Sequence, residues 1–198
     1  MLTAIIKNNN YIKTCFSNKS KDVHSMCSLV DTELSHSDCC KVGNGVEKVL
    51  SDVILQLSRL EITNQKPKNT KGEKEKDHLF CNASTKTIFY AELKGNLNLD
   101  TEKARATGQK CIHIMDQLRE AYPDHTVHMF LVGTRYYSKN IIPPIIMNKY
   151  KDIQEHVVGV NEYLSMFGID LFHDESQYKI FVNDVVDAMF SPSGTKIE

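Results

Sequence analysis

An α/β domain, with a small mixed β-sheet flanked by helices and further helices at the C-terminal end, is the predicted architecture. Three observations lead to it. An amphipathic helix pattern precedes two short strand patterns joined by a turn, a capped helix comes next, and a nearly all-apolar strand follows. Helix, strand, strand, helix, strand is an order that a mixed sheet with covering helices accommodates. The 198 residues are 41% apolar and 25% charged, enough for one domain with a core. No apolar run approaches the roughly 18 residues that span a bilayer.

Residues 1–41 are polar, rich in Ser, Asn and Cys, and only weakly periodic. They read as an irregular arm with room for a short helix. A helix is predicted over 45–60, where Val46, Val49, Val53, Leu57 and Leu60, with Leu50 and Ile54, make one apolar stripe. The segment from Asn64 to Lys76, with Pro67 and Gly72, reads as a Lys-rich loop, with one further strand hidden within 61–76. Asp77 to Cys81 is a short strand, Asn82 to Lys86 the turn, and Thr87 to Lys94 the return strand, rich in β-branched and aromatic residues. Gly95-Asn96 stops it. Asp100 or Thr101 caps a helix that runs to about Tyr122, and Pro123 ends it. Ala104, Ala106 and Gly108 are small enough to bring its first turns close to a sheet. Val127 to Val132 reads as an interior strand. Pro143-Pro144 marks a loop, and amphipathic helices are predicted over 152–166 and 177–190. Met166, Phe167, Met189 and Phe190 read as core or subunit interface.

Net charge is −1, but it is unevenly spread. Residues 152–198 carry −7 and the preceding 151 carry +6. Basic stretches lie at Lys7, Lys13, Lys19 and Lys21, at Lys66, Lys68, Lys71, Lys74 and Lys76, and at Arg135, Lys139, Lys149 and Lys151. Such loops suit a concave polyanion site or a solvated surface. The six cysteines form no Cys-x-x-Cys pair, so a zinc site has little support. The opening residues lack the basic flank and length of a secretory signal. An intracellular, cytoplasmic protein with reduced thiols is expected.

The constellation that bears chemistry is in the hairpin. Glu92 and Lys94, two apart on an apolar strand, leave the same face. Buried charges of this kind are costly unless paired or metal-bound. Asp77, on the neighbouring strand, can join Glu92 in holding a hard divalent cation through oxygen. Such a cation activates water and stabilises charge on a phosphoryl group, with Lys94 beside it. The alternative is a surface Glu–Lys pair on an edge strand.

Asp77, fourteen residues, then Glu92-Leu93-Lys94 at the end of an apolar strand, followed by a polar loop and a helix, resembles the PD-(D/E)XK nuclease superfamily. The resemblance covers about residues 42–135, and Tyr90 to Lys103 is similar to type II restriction endonucleases in particular. Lys76 stands where the motif has Pro. The resemblance implies a restriction-endonuclease-like core over 42–135 and a C-terminal helical part over 136–198 in the same domain, available for dimerisation and DNA contacts. It also implies a Mg2+-dependent endodeoxyribonuclease cutting double-stranded DNA at a short specific sequence, with a homodimer and a companion DNA methyltransferase as partners. Asp77, Glu92 and the Leu93 carbonyl would be metal ligands, and Lys94 the catalytic lysine. Some members add a glutamate from the first helix, here Glu47. It sits at the border of the apolar stripe, where it either reaches the sheet's edge or is a solvated flank residue.

His78 points to the opposite face and reads as a structural histidine. Thr101, Glu102, Lys103 and Arg105 open the helix after the catalytic strand, where free amides either bind phosphate or are simply capped. Asn96, Asn98 and Lys103, with Arg135, Tyr136, Tyr137, Lys139 and Asn140 after the last core strand, are candidate DNA contacts. Two rival readings stand: a DNA repair or junction-resolving nuclease of the same fold, and a non-catalytic nucleic-acid- or partner-binding α/β module.

Overall fold

The computed structural model describes residues 1–15, 36–65 and 76–190. In chain order they form helices α1 (Leu2–Asn8), α2 (Asn10–Cys15) and α3 (His36–Leu57), then strands β1 (Ile62–Asn64), β2 (His78–Asn82) and β3 (Thr87–Lys94). Helix α4 (Thr101–Ala121), strand β4 (Thr126–Gly133), helix α5 (Pro144–Met147), strand β5 (Val157–Val158) and helices α6 (Val160–Ser165) and α7 (Glu175–Phe190) complete the chain. Lys19 and Lys21, Cys27, the run from Lys66 to Lys74 with Pro67 and Gly72, and the Phe190 side chain lie outside the described residues.

The fold is mixed α/β. Five strands follow one another in sheet order as in sequence order. β1, β2 and β3 are antiparallel neighbours, whereas β3, β4 and β5 are parallel. The change of direction follows from the connections. A tight turn over Ala83 to Lys86 returns the chain antiparallel, while α4 carries it back so that β4 runs alongside β3. Lys86 adopts a positive φ of 50°, which lets the turn close in so few residues.

The chain divides into two units, Met1–Gln56 with Phe172–Glu198, and Leu57–Leu171. In the helical unit, Ile5, Ile6 and Ile12 of the first two helices are buried, as are Val42, Val46, Val49, Leu50, Val53 and Ile54 of α3. Tyr178, Phe181, Val182, Val185, Val186 and Met189 of α7 are buried as well. Gly45 gives passage to Met189, whose sulfur would stand 2.7 Å from an added Cβ. The expected irregular arm thus contains two helices that enter a core. Their few apolar residues make a poor periodic signal but still fill space.

In the sheet unit, period-two alternation sorts β3. Ile88 and Tyr90 face a cluster with Cys111, Ile114 and Leu118 of α4, joined by Leu79 and Cys81 of β2 and Met129 and Leu131 of β4. Phe89 contacts Phe167, which in turn meets Phe80 and Tyr163.

Several predicted elements are displaced. The helix expected over 45–60 spans His36–Leu57, and Leu60 is exposed. Ser58 ends it: its hydroxyl donates to the Phe167 carbonyl and accepts from the Leu60 amide, a local alternative to the helical ladder. Pro144 is no plain loop residue but opens α5, where its missing N–H costs nothing. The helix expected over 152–166 does not form as one element. A 3-10 stretch Asn148–His156 is followed by β5, whose Val157 and Val158 pair with Leu131 and Val132, and only then by α6. Gly159 makes this possible, because a Cβ there would stand 2.6 Å from the Ser138 backbone. Gly108 lies against Ile153 of the 3-10 stretch, Ala104 is buried in the cluster that contains the sheet residues, and Ala106 is exposed. Phe167 and Met189 are core, whereas Met166 is partly exposed.

No helix among the described residues is long and apolar enough to cross a membrane. Cys81 and Cys111 are buried free thiols.

Candidate active site at the end of the third strand

β2 and β3 pair with His78 opposite Ala91 and Leu79 opposite Tyr90. Continuing that register by one residue puts Asp77 across from Glu92, on the face that carries Lys94. Asp77 sits at a bend just before β2, so no β2 carbonyl continues the ladder there. Its carboxylate takes that place and accepts a 2.7 Å bond from the Leu93 amide. Glu92 is 2% exposed. Lys94 Nζ donates to one of its oxygens at 2.7 Å, and Lys110 Nζ, from α4, to the other at 2.6 Å. The Tyr90 hydroxyl lies 3.4 Å from the second oxygen. A buried carboxylate without partners costs several kcal/mol, and three donors from two elements offset that here.

The electrostatics agree with the geometry. Burial alone pulls the Lys94 ammonium down, but Glu92 through its charge and hydrogen bond, together with Asp77, outweighs it, and the lysine lies above its ordinary range. Burial, with the charge of Glu92 behind it, pushes the Cys111 thiol up to about 11. Burial, Cys111, Glu92 and Asp77 all push the Tyr90 hydroxyl upward, so it remains a neutral donor. Side-chain exposures of 33% for Lys94 and 23% for Lys110 leave both lysines partly open to solvent.

The loop after Lys94 is tied down. The Lys94 carbonyl accepts from Thr134 N at 2.9 Å. Gly133, in register with Lys94, leaves room for Leu97, whose methyl carbon would stand 2.6 Å from an added Cβ. Leu97 is buried, and its carbonyl accepts from Tyr150 Oη at 2.9 Å.

Asp77, Glu92, Leu93 and Lys94 therefore meet at one sheet end. Lys110 joins them and was not foreseen. Its only sequence signal is its place in a helix predicted to cover the sheet beside Glu92, and one lysine among many does not stand out. Glu47 lies on α3 in the helical unit, where it pairs with Lys48. His78 is buried on the other face, with Nδ1 2.9 Å from the Tyr163 hydroxyl, as a structural histidine would be. Asn96 Oδ1 accepts from Asn98 N, and Asn98 Oδ1 from Lys149 Nζ at 2.7 Å. At the start of α4, Asp100 accepts from the Lys103 amide at 2.8 Å and pairs with its ammonium at 3.0 Å, so ordinary capping is realised there. Arg135, Tyr136, Lys139 and Asn140 lie on the segment leaving β4. Glu162 holds that segment by accepting from the Lys139 amide at 2.9 Å and the Ser138 hydroxyl at 2.7 Å.

Among the described residues, no group of three or more His, Cys, Asp or Glu converges. Asp77 and Glu92, across from each other in the continued register, offer hard oxygen donors. In comparison with known proteins, no family model, curated protein or solved structure matches this chain.

Proposed function

We propose that this chain is a Mg2+-dependent endodeoxyribonuclease of the type II restriction class, hydrolysing phosphodiester bonds of double-stranded DNA at a short specific sequence. The observation that carries the reading is the meeting of Asp77, Glu92 and Lys94 on one face at the end of β3, with Asp77 bonded to the intervening Leu93 amide. The donor chemistry suits magnesium, which binds through one or two carboxylates and keeps several waters. Asp77, Glu92 and the Leu93 carbonyl would hold it. Bound there, the ion would lower the pKa of a water and neutralise charge on the phosphate.

The protein's own residues do the rest. Lys94, charged and partly open to solvent, places a positive group beside the scissile phosphate. Lys110 supplies a second cation and holds Glu92 in place before substrate arrives. Asn96, Asn98, Lys103, Arg135, Tyr136, Lys139 and Asn140 are the proposed DNA contacts. A palindromic target would be met by a homodimer, and the producer's own DNA protected by a companion methyltransferase.

One observation favours a second reading. Both Glu92 oxygens already hold ammonium groups, as in a closed structural ion cluster. That suits a nucleic-acid-binding module without catalysis. Plasmid digestion with and without magnesium, for wild type and Lys94→Ala, decides between them. Discrete fragments that vanish in Lys94→Ala are expected. Nicking, or preference for branched DNA, points to a repair or junction-resolving nuclease. Binding with no metal-dependent cutting on any substrate gives the answer to the module.

A further inference from the structure

A groove of about 570 Å³ opens between one face of α4 and the 3-10 stretch, lined among others by Arg105, Gln109, Asn148, Lys149, Lys151 and Asp152. We propose that it binds the phosphodiester backbone of a nucleic acid, along a track beside the candidate active site. The proposal rests on the nucleic-acid reading above and names a second surface for the same polymer.

Charge is the first reason. Arg105 and Lys151 are exposed, and neither makes an ion pair among the described residues. Lys149 Nζ is held at 2.7 Å by two neutral oxygens, Asn98 Oδ1 and the Leu99 carbonyl, so its charge is not cancelled. Asp152 is the one acid in the lining. Three cations against one carboxylate in a concave wall concentrate a positive field. Gln109 and Asn148 add amide donors, which suits phosphate oxygens.

Shape is the second reason. Ala104 and Gly108 keep the α4 wall low. Tyr150, the one aromatic in the lining, is buried and spends its hydroxyl on the Leu97 carbonyl. No ring face is offered to a base, so the groove fits a backbone better than a free nucleotide.

Position is the third. Lys149 grips the loop that follows Lys94. On α4, Gln109 faces the groove while the next residue, Lys110, reaches Glu92. The groove walls are thus tied to the cluster's surroundings, through the loop after Lys94 on one side and through α4 on the other.

The test is fluorescence anisotropy of a short labelled duplex in EDTA over a salt series. It compares wild type, Arg105→Ala/Lys151→Ala and the charge-preserving Arg105→Lys/Lys151→Arg, with magnesium cleavage assayed in parallel. Each phosphate contact adds about 0.9 to the slope of log affinity against log salt. The alanine pair is expected to bind about tenfold more weakly near 0.1 M salt with a slope shallower by about 2, and the charge-preserving pair to keep the slope. An unchanged slope in the alanine pair overturns the groove even where cutting is intact. Equal loss in the charge-preserving pair also overturns it, since packing rather than charge would then be responsible. Tight binding of ATP with none of duplex would assign the groove to free nucleotides and overturn it too. Groove-dependent duplex binding by a wild type that never cuts supports the groove and removes the nuclease reading alone.

Discussion

The last residues of β3 present opposite chemistry on their two faces. Toward α4 stand Tyr90, Glu92 and Lys94, met by Lys110 and Cys111. On the reverse face, Phe89 joins a cluster of His78, Phe80, Phe130, Tyr163 and Phe167 through ring contacts of 4.8 to 5.9 Å between centroids. The strands are the same, and only alternate positions differ. The aromatic face holds through packing, with a polar contact between His78 and Tyr163. The charged face is stable only while each group keeps its partner, because a lone buried charge is costly. β3 is thus anchored from behind by rings and holds charged groups in front, where two lysine side chains are partly exposed.

Changes to the two faces should therefore separate stability from activity. The largest effect is expected behind: Phe167→Ala empties a fully buried ring site and should cost about 3–5 kcal/mol. Urea unfolding checks it, and a loss below about 1 kcal/mol would show that the aromatic face does not anchor the strand. In front, Lys110→Met should lower stability by only about 1 kcal/mol, because Lys94 and Tyr90 still attend Glu92 and the Lys110 side chain is partly exposed. The same variant should cut DNA at least tenfold more slowly if Lys110 orders Glu92, whereas unchanged cutting would reduce it to a packing lysine.

The smallest effect is an alkaline one. Lys94, Cys111 and Tyr90 all have folded pKa values raised above their ordinary ones. Between the ordinary and raised values the folded state holds more protons, so stability is complete below the ordinary values and falls as pH climbs. The unfolded chain begins to release the Cys111 proton near 9.0, and the folded chain near about 11. The thermal midpoint should decline from about pH 9 upward, and less steeply in Cys111→Ala. A flat midpoint to pH 11 would deny that burial controls this cluster.

Local sequence carried much of the architecture. Thr87 to Lys94 and its preceding turn were legible because strand periodicity and turn residues are short-range signals, and the Asp100 cap announced α4 for the same reason. Glu92 and Lys94 were legible as same-face neighbours, and His78 as facing away. The break at Val157–Val158 was not, since a helical pattern and a β-branched pair compete there. Pairing with Leu131 and Val132, far away in sequence, resolves the competition. The first two helices were hidden by sparse apolar residues whose burial depends on what packs around them.

The sequence alone determined which residues alternate, where α4 begins and that a carboxylate and an ammonium leave the same face of β3. Only the tertiary structure decided that Lys110 completes the pair and that Asp77 binds the Leu93 amide. It also decided that the Arg105, Lys149 and Lys151 charges share one groove. Strand and helix periodicities act over a few residues, whereas these meetings join segments that only the folded chain brings together.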